Sequence, residues 1–360
     1  MKAFSRVWIF LFCFSLPAMA QQAAPPASAG NLESPTAAPA AGADGHIVLD
    51  VVVNDRAGKP ISGLQQQDFT LLDNKLPQKL LSFQAVDPTT PGAPTEVILL
   101  VDAVNTSFTS VSYERSQIEN FLKQNGGKLA QPVSLIFFSD QNVEVQNMAS
   151  SDGNALLAEF DKNETALRTI RRSQGFYGAE DRLQLSLRTL GSLAEYEARK
   201  PGRKVLIWVS PGWPILSGPR IQLSGRQQQG IFNEVVAMSQ ALRLARITLS
   251  SVDPLGTADS GGLRTVYYQE FLKGLKKANQ AEAGNLALQV LATQSGGQVL
   301  YSSNDIAGEI ARCASDADAY YVLTFDPARA DGPNDYRPIE VKVDKAGLTV
   351  RTRTGYYAQP

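Results

Sequence analysis

The sequence predicts an α/β fold with a doubly wound, mostly parallel sheet, flanked by small N-terminal and C-terminal modules of β-strands. Apolar runs typical of buried strands recur at residues 97–101, 133–138, 205–209, 247–252 and 298–301. Amphipathic helical patterns separate these runs, as in residues 183–194 and 231–245, where apolar side chains recur every three or four residues. Apolar strands that alternate with helices are typical of a sheet covered on both faces.

The N-terminal region predicts export. Lys2 and Arg6 accompany the apolar run "VWIFLFCFSLP", and small residues end the segment at Ala20, so residues 1–20 are interpreted as a cleavable signal peptide. Residues 21–45 are rich in Ala and Pro and predict a disordered linker. No later stretch is apolar enough to predict a transmembrane segment after cleavage. We therefore expect a secreted or periplasmic protein, or one held in the cell envelope.

The remaining chain divides into three parts. Residues 46–87 predict a small β module, residues 95–318 the α/β domain, and residues 319–360 a set of C-terminal strands. Ile339, Val341 and Val343 alternate with charged residues, as in a half-buried strand. Because so few strands cannot easily bury an apolar face alone, we expect the two end segments to pack on each other or on the α/β domain.

Composition and motifs argue against several functions. Removal of Lys2 and Arg6 from the 34 basic residues leaves 32 against 35 acidic ones, a formal charge of −3, which gives no reason to expect nucleic acid. No glycine-rich phosphate loop follows the first apolar strand, so no nucleotide is expected. His46 is the only histidine, and we expect Cys313 to be a buried thiol. Histidine-dependent catalysis and a two-histidine metal site are therefore not expected within one chain.

The candidate functional residues follow the strands. Ligands of open α/β sheets bind beyond the carboxyl ends of the strands. The segments after the first four strands read "DAVNTS", "SDQN", "SPGWP" and "DPLGT". They supply the candidate residues Asp102, Asn105, Thr106, Asp140, Ser210, Trp213 and Asp253. We expect this face to bind a protein partner.

The segment "DAVNT", with the flanks "VVVNDRAGKPISGLQQQDFTLLDN" and "YYVLTFDP", resembles the von Willebrand factor type A (VWA) family. The likeness covers residues 46–358 and is greatest to secreted bacterial proteins of the acidobacterial type. Members commonly bind Mg²⁺ or Mn²⁺ through a D-x-S-x-S sequence, a later Thr and a later Asp. The resemblance therefore implies Asp102 and Thr106 as possible metal ligands.

The expected ligand set is incomplete. Val104 occupies the second position of the motif and has no side-chain oxygen, the loop "SQGFYGAEDR" has no Thr, and Ser210 stands where an Asp is expected. So few oxygen ligands make a weakened, degenerate site for a cation that dehydrates reluctantly. Asp140 or Asp253 could complete a rearranged site. The favoured alternative is that Asp102 and Asn105 bond backbone amides and fix the turn.

Other features also allow two interpretations. Trp213 is either a contact anchor for a partner or a lid folded over the sheet edge. Residues 271–280, "FLKGLKKANQ", are either a basic helix that touches lipid head groups or a solvated helix face.

Three functions are considered. The first is an exported, non-catalytic, adhesion-type protein that binds a partner at the strand ends. The second is a structural or assembly component of the cell envelope that acts through its β modules. A hydrolase that uses paired carboxylates is third.

Overall fold

The computed structural model describes residues 45–90, 95–106, 108–140, 143–145, 149–162, 175–219, 221–258 and 266–360. The predicted signal peptide and, except for Gly45, the predicted linker lie outside these ranges.

The described strands are, in chain order, β1 (Ile47–Asn54), β2 (Phe69–Asp73), β3 (Leu76–Gln78), β4 (Leu80–Val86), β5 (Glu96–Asp102), β6 (Lys128–Phe138), β7 (Val143–Val145), β8 (Ser150–Asp152), β9 (Lys204–Val209), β10 (Ile247–Val252), β11 (Val299–Leu300), β12 (Tyr320–Phe325), β13 (Asp335–Val343), β14 (Thr349–Arg351) and β15 (Gly355–Ala358). The described α-helices are α1 (Phe108–Leu122), α2 (Gly153–Lys162), α3 (Gly175–Glu197), α4 (Gly225–Leu244), α5 (Leu288–Ser295) and α6 (Ile306–Ala314).

The central sheet has the order β11-β10-β9-β5-β6-β7. Strands β6, β5, β9, β10 and β11 pair in parallel, while β7 and β8 both pair antiparallel with β6. The prediction of an α/β fold with a parallel sheet is confirmed. The strand order reverses between β5 and β9, so the chain switches direction across the sheet at this point.

Helices cover both faces of this sheet because its strands are apolar throughout. In β5, Ile98 and Leu100 belong to one buried cluster, which also holds apolar residues of α3, α4 and α5. Val97, Leu99 and Val101 belong to a second cluster with α1, α2 and α6. The alternation follows from the two-residue period of a strand. Both faces of β5 are therefore covered by helices.

Local sequence explains where α4 begins. The Ser224 hydroxyl accepts a hydrogen bond from the Gln227 amide, and the Gln227 side chain accepts one from the Ser224 amide at 2.9 Å. This reciprocal pair satisfies two amides at the start of the helix. The buried residues of α4, among them Val235, Met238 and Leu242, lie on the predicted apolar face.

The two ends of the chain form antiparallel sheets together. One sheet has the order β14-β1-β12-β4 and the other has the order β15-β13-β2-β3. Both contribute to one buried cluster, in which Leu49 and Phe69 meet Leu323 and Tyr356. Each sheet therefore combines N-terminal and C-terminal strands, and the two sheets enclose a common core. We refer to β1–β4 and β12–β15 together as the terminal β-sandwich.

The segment 271–280 is not an α-helix, which corrects the interpretation of "FLKGLKKANQ" as an amphipathic helix. It contains the end of a 3₁₀ turn at Tyr268–Phe271 and another turn at Ala278–Gln280, joined by irregular backbone. A side chain at Gly274 would collide with the Tyr336 ring, since a Cβ there would lie 2.0 Å from it. Close packing against β13 thus sets the local conformation.

Candidate functional site

The carboxyl ends of β5 and β9 meet where the strand order reverses. Asp102 ends β5, and Ser210 directly follows β9. Both side chains are fully buried. The fold thus brings together two of the sequence-predicted candidates at the place where open α/β sheets bind ligands.

Both carboxylate oxygens of Asp102 accept hydrogen bonds. Oδ1 accepts from the amides of Val104 and Asn105 at 2.9 Å each. Oδ2 accepts from Asn105 Nδ2 and from Trp208 Nε1, also at 2.9 Å. Burial raises the pKa of Asp102, and hydrogen bonds from Trp208, Asn105 and Ser210 oppose that rise. The contacts are those of a carboxylate that fixes the turn after its strand.

Asn105 and Thr106 occupy different environments. The half-buried Asn105 also donates a hydrogen bond to Ser186 Oγ at 3.0 Å, which ties the turn to α3. Thr106 is buried and lies beside Glu114, a residue of α1 that is only 3 % exposed. Neither Thr106 Oγ1 nor Glu114 Oε1 meets the geometry of a hydrogen bond among the residues described. The Thr106 hydroxyl thus lies near the Glu114 carboxyl group without a well-aligned hydrogen bond between them.

Glu114 belongs to a group of buried carboxyl groups at this edge. Burial raises its pKa well above the usual value, and the negative charges of Asp102 and Asp253 raise it further, while the Thr106 hydroxyl opposes the rise. Asp253 follows β10 and is buried, and its Oδ1 accepts from the Leu255 amide at 2.9 Å.

Glu309, on α6, extends this group. Its pKa is raised to about 7, first by burial and then by the charges of Asp253 and Asp305, against the opposing charge of Arg312. Neither Glu114 nor Glu309 is among the candidate residues that the sequence predicts. A helical pattern could have identified Glu114, because it lies between Val111 and Ile118 on the buried side of α1.

The side chains around Asp102 do not provide the oxygen ligands that a Mg²⁺ or Mn²⁺ ion needs. Such an ion needs several free oxygen ligands, but N–H groups already point at both oxygens of Asp102. Val104 contributes only an amide donor. Within the described ranges, no three His, Cys, Asp or Glu side chains are grouped so that they could hold a metal ion. No step of the function proposed below depends on a metal.

Trp213 lies inside the fold. It is 3 % exposed and packs edge-to-face on Trp208, with ring centroids 5.0 Å apart. Its indole nitrogen has no hydrogen-bond partner among the described residues. The preceding Gly212 has φ of +98°, and a Cβ there would lie 2.3 Å from Gln289 Nε2. The structure thus places Trp213 as a lid, the second of the two interpretations, rather than as an exposed anchor.

The last predicted candidate, Asp140, is half-buried two residues after the end of β6. Most of the candidate residues therefore form the floor of the strand-end face and are not exposed to solvent.

Four exposed apolar residues lie on segments that follow the strands of this edge or lead back from it. Tyr113 lies in the first half of α1 and is 42 % exposed, and its hydroxyl donates a hydrogen bond of 2.6 Å to the Asn304 carbonyl. Phe176 and Tyr177 begin α3 and are 53 % and 78 % exposed, with their rings in edge contact. Val143 follows β6 and is also exposed. Tyr113 and Val143 lie on segments that follow the carboxyl ends of β5 and β6. Phe176 and Tyr177 lie at the start of α3, the helix that leads to the amino end of β9.

The residues considered for enzymatic chemistry lie elsewhere. His46 pairs with Asp326 in the terminal β-sandwich. Cys313 is a buried free thiol on α6, as predicted, and burial raises its pKa to about 12. A thiol of this kind is a poor nucleophile because almost none of it is thiolate.

A separate cavity of about 640 Å³ is lined by residues of the segment 267–285, including Phe271, Lys273, Lys276 and Glu282. Its lining mixes both charges with aromatic rings and does not include the strand-end residues. Within the described ranges, no helix is long and apolar enough to cross a membrane.

Comparisons with known proteins give distant likenesses only. No family model matches the chain, and no curated protein matches it. Among solved structures, the pilus adhesin SpaC from Lactobacillus rhamnosus GG has a TM-score of 0.38 at 11 % identity, over 83 % of this chain and 49 % of SpaC. This chain thus spans about half the length of SpaC.

Two further structures are similar over most of their own length. The SpRpn10 VWA domain has a TM-score of 0.28 at 13 % identity, over 61 % of this chain and 94 % of that domain. Manganese-loaded TRAP from Plasmodium vivax has a TM-score of 0.36 at 10 % identity, over 78 % of this chain and 98 % of TRAP. No score reaches 0.5, and the fold described above rests on the strand pairing alone.

Proposed function

We propose that this chain is an exported, non-catalytic protein-binding module with a VWA-like α/β domain, which binds a protein partner at the strand-end face. The observation that supports this proposal is the pair of exposed aromatic rings, Phe176 and Tyr177, at the start of α3, the helix that Asn105 contacts through Ser186. Rigid aromatic side chains are enriched at the centres of protein interfaces.

The buried floor gives the exposed rim a fixed shape. Asp102 holds the turn after β5, and Asn105 joins that turn to α3 through Ser186. The chain therefore positions the start of α3, with its two rings, relative to the central strand. In this proposal Asp102, Asn105 and Ser210 position the face, and the partner contacts the rim. A metal ion is not required.

A second candidate function is assembly through the terminal β-sandwich. β3 and β4 are edge strands of their sheets, and Leu76 and Leu81 on them are exposed. An exposed apolar residue on an edge strand favours pairing with another chain. This observation supports the structural role as the alternative.

Paired variants distinguish the two functions. The tagged protein is used to capture partners from the envelope fraction and the medium of the producing cells, and bound proteins are quantified. We expect Phe176→Ala/Tyr177→Ala to lose the partner that wild type retains. Tyr196→Ala is the matched control, since Tyr196 is also exposed but lies at the other end of α3.

The assembly function predicts the opposite pattern. Leu76→Lys/Leu81→Lys would then abolish association, and the Phe176 and Tyr177 variant would bind as wild type does. Each variant is first compared with wild type by thermal unfolding, so that loss of binding is not confused with loss of fold. Export is tested separately, by sequencing the N-terminus of the protein recovered outside the cytoplasm, which we expect to begin at Gln21.

A further inference from the structure

A small polar cavity lies between the terminal β-sandwich and the α/β domain, at the opposite edge of the central sheet from the strand-end face. Its volume is about 10 Å³, close to what one water-sized particle needs. Its polar lining includes Asp50 from β1, Arg243 from α4, Arg246 and Thr248 at the start of β10, and Arg353 between β14 and β15.

The lining carries more positive than negative charge. Asp50 is the only acidic residue among the three arginines. Arg246 binds the Asp50 carboxylate through two nitrogens, with Nη2 at 2.5 Å from Oδ1 and Nε at 3.3 Å from Oδ2. This bidentate pair accounts for the one negative charge. Arg243 and Arg353 have no ion pair within the lining, although the charge of Asp50 also acts on Arg353.

Arg353 is the more deeply buried of these two. Its side chain is 8 % exposed, and burial lowers its pKa to about 10, with the charge of Arg243 adding to the effect. Burial also lowers the pKa of Arg243. A guanidinium group nevertheless keeps its proton near neutral pH. Two cations therefore share the lining of one small cavity.

The surroundings add to this positive charge. Arg203 is 1 % exposed, and its Nε has no hydrogen-bond partner among the described residues. It donates through Nη1 to the Asp316 carbonyl at 2.6 Å and through Nη2 to Oγ1 of Thr248, a residue of the cavity lining, at 3.5 Å. The Asp316 carboxylate is paired with Arg351. The described residues thus leave the buried guanidinium groups of Arg203 and Arg353, and the half-buried group of Arg243, without a carboxylate bonded to them.

We propose that this cavity binds one small monovalent anion, with chloride as the natural occupant, held by Arg243 and Arg353. Buried charges are stable only when they are paired, and the cavity has room for a monatomic ion but not for sulfate or phosphate. Because Asp50 and Arg353 belong to the β-sandwich while Arg243 and Arg246 belong to the α/β domain, the anion joins the two parts of the chain.

Thermal unfolding in a series of sodium salts tests this proposal. The purified protein is unfolded at constant ionic strength while sodium gluconate is replaced stepwise by sodium chloride, then in a second series by sodium bromide. Gluconate is too large for the cavity. We expect Tm to rise saturably with chloride and with bromide, by about 2–4 °C at a tenfold excess over Kd.

Variants connect the effect to the site. Arg353→Gln is expected to lose the chloride-dependent rise, and Arg226→Gln, which changes an exposed arginine at the start of α4, is expected to keep it. If Arg353→Gln does not fold, Arg243→Gln serves the same purpose. A Tm that is equal in gluconate and chloride would overturn the proposal and assign a water molecule to the cavity. A chloride-dependent rise that persists in both arginine variants would overturn it as well.

Discussion

The indole nitrogen of Trp208 donates a hydrogen bond of 2.9 Å to Oδ2 of Asp102, between neighbouring parallel strands. Both residues are fully buried. The bond places a donor at the carboxylate of Asp102, the residue that the family resemblance implies as a possible metal ligand. It therefore connects the stability of the sheet to the chemistry of the strand-end face.

Loss of this donor should destabilise the protein more than loss of ring volume alone. Trp208→Phe leaves a buried carboxylate oxygen short of one hydrogen bond. Trp213→Phe removes a similar volume from a ring that is also buried, but its nitrogen has no partner among the described residues. We expect Trp208→Phe to lower the free energy of unfolding by about 1.5–3 kcal/mol more than Trp213→Phe does. Urea denaturation measures both, and equal losses would contradict the role given to the bond.

Divalent cations should not stabilise the protein. Since the oxygens of Asp102 already accept N–H donors, we expect millimolar Mg²⁺ or Mn²⁺ to change Tm by less than ~1 °C relative to EDTA. Specific binding at a hundredfold excess over Kd would instead add about 2.7 kcal/mol. The variant Thr106→Val decides the origin of any effect. A saturable rise that this variant abolishes would restore the metal site that the resemblance implies.

Stability should depend on the protonation of Glu309. Its folded-state pKa is raised from 4.5 to about 7, so the folded protein holds this proton more tightly than the unfolded chain does. The resulting stabilisation is complete below about pH 4.5 and is lost as the pH rises through 7. We therefore expect Glu309→Gln to gain stability relative to wild type between pH 5 and pH 8.

The measurement is the free energy of unfolding in urea at both pH values. Glu340→Gln, which changes an exposed glutamate of β13, is the control and should differ from wild type by the same amount at each pH. A constant difference for Glu309→Gln would show that its carboxyl group titrates normally. Glu114→Gln should behave as Glu309→Gln does, because burial and two neighbouring carboxylates raise the pKa of Glu114 as well.

Cys313 should resist modification while the protein is folded. Burial removes access and holds its pKa at about 12. In a Cys13→Ser background, we expect a thiol reagent at pH 8 to label Cys313 at least ~100-fold more slowly in buffer than in denaturing urea. Rapid labelling of the folded protein would mean that α6 opens readily.

The fold was easier to predict than the site, because the spacing of apolar residues along strands and helices directly indicates which side chains are buried. β5 begins at Glu96 and β9 at Lys204, each one residue before the apolar run that predicted it. The turn at Asp102 was also predictable, since Asp and Asn after a strand bond local amides. The resemblance to the VWA family placed the candidate site at the end of β5, but it did not indicate the hydrogen bond that Trp208 donates to Asp102.

The rest of the site depends on contacts between distant segments. Glu114 and Glu309 are on helices far apart in the chain, and only the fold brings both near Asp253. Trp213 has prolines on either side in the sequence, a pattern that does not distinguish an exposed ring from one folded back onto Trp208. The segment 271–280 has the composition of a helix, but packing of Gly274 against Tyr336 decides its backbone.

The pairing of β1 has a consequence for biosynthesis. Both neighbours of β1 in its sheet, β12 and β14, come from the last part of the chain. A ribosome therefore releases β1 first among the described strands and delivers its partners last. Until β12 and β14 are synthesised, the apolar side of β1 (Ile47–Asn54) stays uncovered. The α/β domain, which lies between these strands in the sequence, can already form. The terminal β-sandwich can therefore form only late in synthesis. A chain that ends before Tyr320 would leave β1 without either of its partner strands.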